Sequence, residues 1–135
     1  MPADAFFDTS VLVYLVAGDP RRSPIAEDLL ESGGCVSVHV LNELVAVMRR
    51  KLRMPWNLVL ETTGLIRALC EPPVPITVEM HDKAVAIAQR FKFHIYDSLV
   101  IAAALACRCS VLYSEDMQDG QKVETLRIRN PFRSV

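Results

Sequence analysis

The stretch from Tyr96 to Gly120, Y-D-S-L-V-I-A-A-A-L-A-C-R-C-S-V-L-Y-S-E-D-M-Q-D-G, constrains the fold more than any other part of the chain. It opens on Tyr96-Asp97 and runs without a charge to Arg108. It continues as Ser110-Val111-Leu112-Tyr113 and closes on Ser114-Glu115-Asp116. A helix that is apolar on every side belongs inside a protein. A short β-branched and aromatic run bounded by polar residues suits a central parallel strand. The stretch therefore predicts a buried helix feeding a buried strand. With the two antiparallel, Asp97 at the helix start and Asp116 just past the strand end lie at one end of a sheet. Two acids at the edge of an apolar core need a chemical reason.

The rest of the chain repeats the alternation. Ala5-Phe6-Phe7 predicts a first strand with Asp8 at its carboxyl end. Thr9 or Ser10 is placed to cap a helix over Val11 to Val16 that stops at Gly18-Asp19-Pro20. Ser23-Pro24 has an N-cap-then-proline pattern and opens a second helix. Cys35 to Val38 predicts a second strand. A third helix runs from about His39 to Lys51, with Leu41, Leu44, Val45 and Met48 inward and Glu43 at the edge of that stripe. Glu43 is there either as a surface acid or as a site residue. A fourth helix is expected over Asn57 to Cys70, then a weak edge strand at Ile76 to Val78 after Pro72-Pro73-Val74-Pro75. Glu79 to Phe91 is amphipathic, Asp116 to Lys122 reads as a turn or short helix, and Leu126 to Ile128 as a last strand. Short connections between alternating strands and helices imply right-handed crossovers. The expected fold is a single α/β domain over residues 1–135, a three-layer α/β/α arrangement around a mostly parallel five-stranded sheet. Ligands of such sheets sit outside the carboxyl ends of the strands, where strand order reverses. Asp8 and Asp116 fall there, and Glu43 and Asp97 lie on helices that reach the same place.

Composition narrows the function classes. No apolar run approaches the length of a membrane span. The start, M-P-A-D-A-F-F-D, has an acid where a secretory signal needs basic residues, so the expected location is cytoplasmic. Cys35, Cys70, Cys107 and Cys109 lack paired metal-ligand spacing and are expected to be reduced. The net charge is −1, yet with four acids set aside the remainder is basic. Arg49, Arg50, Lys51 and Arg53 form one cluster and Arg127, Arg129 and Arg133 another, each readable as a solvated helix or strand end or as a phosphate contact.

Four carboxylates in one cleft repel. At about 5 Å and an effective dielectric near 20, each pair costs roughly 3 kcal/mol before screening. Shared protons, paired cations or a bound metal relieve that cost. Oxygen-only ligands favour hard ions such as Mg²⁺ or Mn²⁺, and those ions suit phosphodiester hydrolysis. Other chemistries lack their residues. There is no glycine-rich phosphate loop ending in Lys-Ser/Thr and no G-x-S-x-G elbow. His39, His81 and His94 have no metal-ligand spacing and read as surface or helix-end residues. His94, near Asp97, is also a candidate substrate contact. Ser114 is placed either to cap a turn or to bond a metal-bound water or a phosphate.

Four segments taken together carry a family resemblance. They are Phe7-Asp8-Thr9-Ser10-Val11-Leu12, Asn42-Glu43-Leu44, Tyr96-Asp97-Ser98-Leu99-Val100-Ile101-Ala102-Ala103-Ala104, and Leu112-Tyr113-Ser114-Glu115-Asp116-Met117-Gln118-Asp119-Gly120. In this order the chain resembles the PIN-domain family, and within it the VapC-type toxin ribonucleases. Asn130-Pro131-Phe132 is similar to that family's ending. The resemblance implies a Mg²⁺- or Mn²⁺-dependent endoribonuclease whose acidic quartet is Asp8, Glu43, Asp97 and Asp116. It implies Asp8 and Asp97 as the firmest ligands, with Glu43 and Asp116 completing the shell directly or through waters. Thr9 and Ser114 match hydroxyl positions near the site. Asp119 is an extra acid that turn chemistry explains equally well, and Arg49 and Arg50 are candidate substrate contacts. The resemblance further implies a homodimer and a separately encoded antitoxin whose tail enters the cleft. The implied substrate is structured RNA such as transfer RNA, cut to leave a 5′-phosphate and a 3′-hydroxyl. Two other classes stay open: a PIN scaffold that binds RNA or protein without cutting, and a metal-dependent DNA nuclease or phosphatase.

Overall fold

The computed structural model describes residues 4–135; Met1 to Ala3, the start of the segment read for a targeting signal, lie outside the described residues. Strand β1 (Ala5–Phe7) leads into two one-turn helices, α1 (Thr9–Leu12) and α2 (Tyr14–Ala17). Helices α3 (Arg22–Glu31), α4 (Val38–Arg50), α5 (Trp56–Leu69), α6 (Val78–Phe91) and α7 (Ile95–Ala106) follow. The chain ends with β2 (Val111–Tyr113), β3 (Lys122–Val123) and β4 (Leu126–Arg129). The sheet order is β1-β2-β4-β3. β2 runs parallel to both neighbours, pairing Phe6 with Leu112 and Leu112 with Ile128, and β3 returns antiparallel to β4. The result is a parallel-dominated α/β sheet flanked by helices.

The buried centre is α7 against β2, as the Tyr96–Gly120 stretch requires. Val100, Ile101, Ala102, Ala103 and Ala104 are all at most 1% exposed, as is Leu112. Burying each large aliphatic side chain contributes about 1.5–3 kcal/mol, and the alanines let neighbouring elements come close. No helix among the described residues is long and apolar enough to cross a membrane, and none of the four cysteines forms a disulfide.

The sheet has four strands, not the expected five. Cys35 to Val38 meets the sheet only through an isolated parallel bridge from Cys35 to Phe6; its other bridge, Ser37 to Val74, joins a segment outside the sheet. Ser37 is already the N-cap of α4, its hydroxyl accepting the Val40 N–H at 3.1 Å, so no length is left for a strand. Ile76 to Val78 fails for the same reason: Thr77 caps α6, and Val78 is its first residue. In the opposite sense, the expected turn over 116–122 gives its last residue to β3. Local capping won over β propensity in both short segments.

Three helix starts also differ. Asp8, rather than Thr9 or Ser10, caps α1. The helix expected through Val16 is broken at Val13, and α2 stops at Gly18, whose φ of 73° lies in the left-handed region. α3 begins before Ser23-Pro24 because the Asp19 carboxylate accepts the Arg21 and Arg22 N–H groups at 2.9 and 2.8 Å. Gly34 marks a close approach. A Cβ there would lie 2.5 Å from the Phe7 ring and 2.8 Å from the Ala5 carbonyl oxygen.

Candidate active site

Asp8 sits where β1 ends, and its backbone N–H donates to the Tyr113 carbonyl at 3.0 Å, continuing the β1–β2 ladder by one bond. Its side chain is 5% exposed and fully engaged. Oδ1 accepts the Thr9 N–H at 2.9 Å. Oδ2 accepts the Ser10 and Ser114 hydroxyls, each at 2.9 Å. Burial pushes the Asp8 carboxyl up to about 6; the two serine hydroxyls pull it down, and the Glu43 and Asp116 carboxylates push it up again.

Ser114, fully buried at the end of β2, ties Asp8 to the acidic turn. Its Oγ accepts the Asp116 and Met117 N–H groups, both at 3.2 Å, while donating to Asp8. Ser10 makes the parallel link, donating to Asp8 and accepting the Glu115 N–H at 2.9 Å. These bonds fix the first strand end against the second.

Glu43 projects from the middle of α4. The Thr9 hydroxyl reaches its Oε1 at 3.2 Å and the Val40 carbonyl at 3.3 Å. His39 Nε2, one helical turn back, stands 3.2 Å from the same Oε1. That nitrogen finds no acceptor in line, so the contact is one of proximity rather than a directed hydrogen bond. The His39 contact lowers the Glu43 carboxyl, against the opposing effect of burial, with a smaller contribution from Thr9. Asp97 occupies the first turn of α7, where the helix N-terminus favours an anion. It is half-buried, and burial raises its carboxyl; His94 and His39 oppose the rise, while Asp116 and Glu43 add to it. Asp116 is exposed on the turn after β2.

These four acids line one cavity of about 500 Å³, together with Thr9, Ser10, Glu115 and Lys51. They come from β1, α4, α7 and the turn after β2, and the mutual charge effects on Asp8 and Asp97 show that they share a field.

A PIN-domain family profile matches residues 5–119. The chain belongs to the PIN-domain family. The PIN fold is shared with two solved structures. One is VapC20 of Mycobacterium tuberculosis, a sarcin-ricin loop cleaving toxin, with a TM-score of 0.65 and 24% identity over 83% of this chain and 89% of that one. The other is a toxin–antitoxin complex from Klebsiella pneumoniae, with a TM-score of 0.72 and 19% identity over 95% of this chain and 98% of that one. No sequence among curated proteins matches.

The donor set of this PIN cavity is carboxylate and hydroxyl oxygen, which suits a hard divalent ion. Asp8 is held rigidly by three donors. Among the described residues no three of His, Cys, Asp and Glu close on a single point as a ready-made cage. The acids line one cavity without converging on a common point, so the oxygen-rich donor chemistry and the shared cavity are what fit a hard ion.

Three candidates from the sequence lie elsewhere. Asp119 accepts the Asn130 N–H at 2.8 Å and the Arg133 guanidinium at 2.7 Å, a staple that fixes the C-terminal segment. Arg49 donates to the Met54 carbonyl at 2.8 Å and stacks 4.6 Å over Trp56. Arg50 does not line the cavity either; Lys51 is the basic residue that does.

Two residues beside the site were not foreseen. His39 reads in sequence as a surface or helix-end residue and does lie in the first turn of α4; its contact with Glu43 was signalled only by the spacing of four on one helix. Glu115 lines the cavity, but Tyr14 Oη donates to its Oε1 and Arg22 Nε to its Oε2 at 2.7 Å, with Arg22 also over the Tyr14 and Phe132 rings. Phe132, part of the Asn-Pro-Phe ending, packs edge-on against Tyr14 with ring centres 5.0 Å apart. Neither the Arg22 contact, 93 positions along the chain, nor the ring packing leaves a local pattern.

Proposed function

We propose that this PIN domain, occupying the whole chain, is a Mg²⁺- or Mn²⁺-dependent endoribonuclease and the toxin of a VapBC-type toxin–antitoxin pair. The observation that carries the reading is the meeting of Asp8, Glu43, Asp97 and Asp116, the first and last more than a hundred positions apart, around one cavity. A structural role for these acids would require cations to neutralise them. Within the lining only Lys51 is basic, and Arg22 is already spent on Glu115.

Asp8 and Asp97 would provide the main ligands, with Glu43 and Asp116 completing the set directly or through water. When bound, the divalent ion would make a water more acidic and stabilise charge on the phosphate. Asp8 is presented in a fixed geometry by Ser10 and Ser114. Glu43 is oriented by the Thr9 hydroxyl, with His39 beside it. Lys51 is placed to meet a phosphate oxygen beside the acids, a positioning contact without sequence information. The substrate class is structured RNA with an accessible loop, including transfer RNA, and in-line attack of water would leave a 5′-phosphate and a 3′-hydroxyl. The fold's likeness to a ribosomal-loop-cleaving toxin and to a toxin–antitoxin complex supports this reading. It carries with it a cytoplasmic location, a homodimer and a separately encoded antitoxin.

The test is cleavage of end-labelled RNA by purified protein with Mn²⁺, with and without EDTA, beside Asp8→Asn and Asp97→Asn. The parent is expected to cut and both variants to lose cutting while keeping a cooperative melt. Equal cutting by parent and variants would remove the assignment.

A further inference from the structure

A column of three rings stands at the rim of the acidic cavity. His39, on α4, is the inner member; its side chain is 14% exposed. Tyr96, in the first turn of α7, lies nearly parallel to it, with ring centres 5.7 Å apart and planes 13° apart. His94, the N-cap of α7, tilts against Tyr96 at 5.4 Å. Tyr96 remains 55% exposed, and His94 is exposed as well. The column thus grades from a protein-backed base to a solvent-facing end, and a large aromatic ring left in water is available for contact.

Its position ties it to the proposed chemistry. Tyr96 precedes Asp97 in the chain, and His39 Nε2 is 3.2 Å from Glu43 Oε1. The inner two rings are therefore one residue or one contact away from two of the four acids. The Tyr96 N–H donates to His94 Nδ1 at 3.3 Å, which holds the outer imidazole against the helix start. None of the three rings lines the cavity itself.

Resting on the nuclease reading, we infer that the His39–Tyr96–His94 column is a nucleobase-stacking subsite that holds an unpaired base next to the scissile phosphate. Sequence-specific RNA recognition works largely on unstacked bases laid on aromatic side chains, and any base has a face to offer. The subsite selects for substrates that present an unpaired base beside the cut and excludes continuous duplex, whose bases are already stacked. The base lies on the outer ring, so His94 is the binding residue, and Tyr96 and His39 are positioning residues that back it.

The experiment digests a pool of RNA hairpins with randomised loops, using the full chain and Mn²⁺, and maps the cuts by sequencing the ends. The best-cut hairpin is then made with an abasic residue at each loop position in turn. Stacking on an aromatic side chain changes affinity by roughly ten- to a hundredfold per base. One abasic position next to the cut is expected to raise KM for the parent by about that factor. His94→Ala is expected to raise KM on the intact hairpin similarly with kcat little changed, and to be indifferent to the abasic residue. Tyr96→Phe keeps the ring and is expected to behave as the parent. Three results would overturn the subsite while leaving the nuclease reading standing: an unchanged KM in His94→Ala, an abasic penalty that persists in it, or a loss confined to kcat, which marks a displaced Asp97. A parent that cuts no hairpin with any divalent ion overturns both.

Discussion

Replacing Asp8 with Asn is expected to stabilise the metal-free protein at neutral pH, although it removes a central site residue. The buried carboxyl is raised from 3.8 to about 6. Its charged form is therefore disfavoured in the folded state. A raised acid supports the fold below the unfolded value near 3.8, and that support is lost as pH climbs through the folded value near 6. The displacement corresponds to about 3 kcal/mol between the two limits. Asn matches the protonated acid in charge but has a single oxygen. Kept on the Thr9 N–H, that oxygen still caps α1. Its NH2 then faces the Ser10 and Ser114 hydroxyls, which lose their acceptor, so part of the electrostatic gain is offset. For a chain of this length the electrostatic part alone corresponds to a rise in Tm of roughly 10 °C, and the lost serine bonds reduce the expected rise to about half of that. The assay is a thermal melt of parent and Asp8→Asn in EDTA across pH. The gap is expected to be largest above about pH 7 and to close only below about pH 3, where the Asp8 carboxyl is protonated in both the folded and the unfolded state. Asp97, also raised by burial, acts in the same direction, whereas the lowered Glu43 acts against it. A variant that melts below the parent at neutral pH, or a gap that does not narrow in acid, would refute the electrostatic account of this cavity.

Other perturbations follow from single contacts. Ser114→Ala removes the hydroxyl that binds Asp8 and leaves the Met117 N–H without its acceptor; calorimetry is expected to show a loss of about 1–3 kcal/mol, and RNA cleavage is expected to fall with it. Gly34→Ala drives a methyl group into the Phe7 ring and the Ala5 carbonyl, and denaturant melts are expected to show a loss of roughly 1–3 kcal/mol. The Cys107 thiol, partly exposed, is pulled below its ordinary value chiefly by the Cys109 thiol and further by that of Cys35, against the effect of burial. Brief alkylation at neutral pH, read by mass spectrometry, is expected to label Cys107 before Cys35 and Cys70, both of which burial pushes up.

The parts of the molecule legible in the sequence are those with local or periodic signals. The uncharged run after Asp97 required a buried helix, and α7 is one. The positions of Asp8 and Asp116 just past apolar triplets placed them at the strand ends that pair through Phe7 and Tyr113. Glu43 was ambiguous in sequence because an edge position on an amphipathic helix serves water and a cleft equally well. What was not legible depends on contacts between distant segments. Two expected strands are missing because Ser37 and Thr77 each spend a strand position on a helix cap, and the short Lys122–Val123 strand replaces one of them. Asp119 resembles a site acid in its motif, yet Arg133 and Asn130 hold it in a turn. Arg49 was drawn away by Trp56, and no spacing rule shows which neighbour an exposed arginine will take.

The central claim is that four distant acids form a binding site for one hard cation chemistry, and the most direct measurement is the Mn²⁺ dependence of Tm for the parent, Asp97→Asn and Glu43→Gln. Binding to the folded state alone raises Tm with ion concentration, by about 2.7 kcal/mol of stability at a hundredfold excess over Kd. The account predicts a concentration-dependent rise for the parent that is largely lost in Asp97→Asn and reduced in Glu43→Gln. A parent whose melt does not respond to Mn²⁺, or responds no more than the variants do, would contradict it.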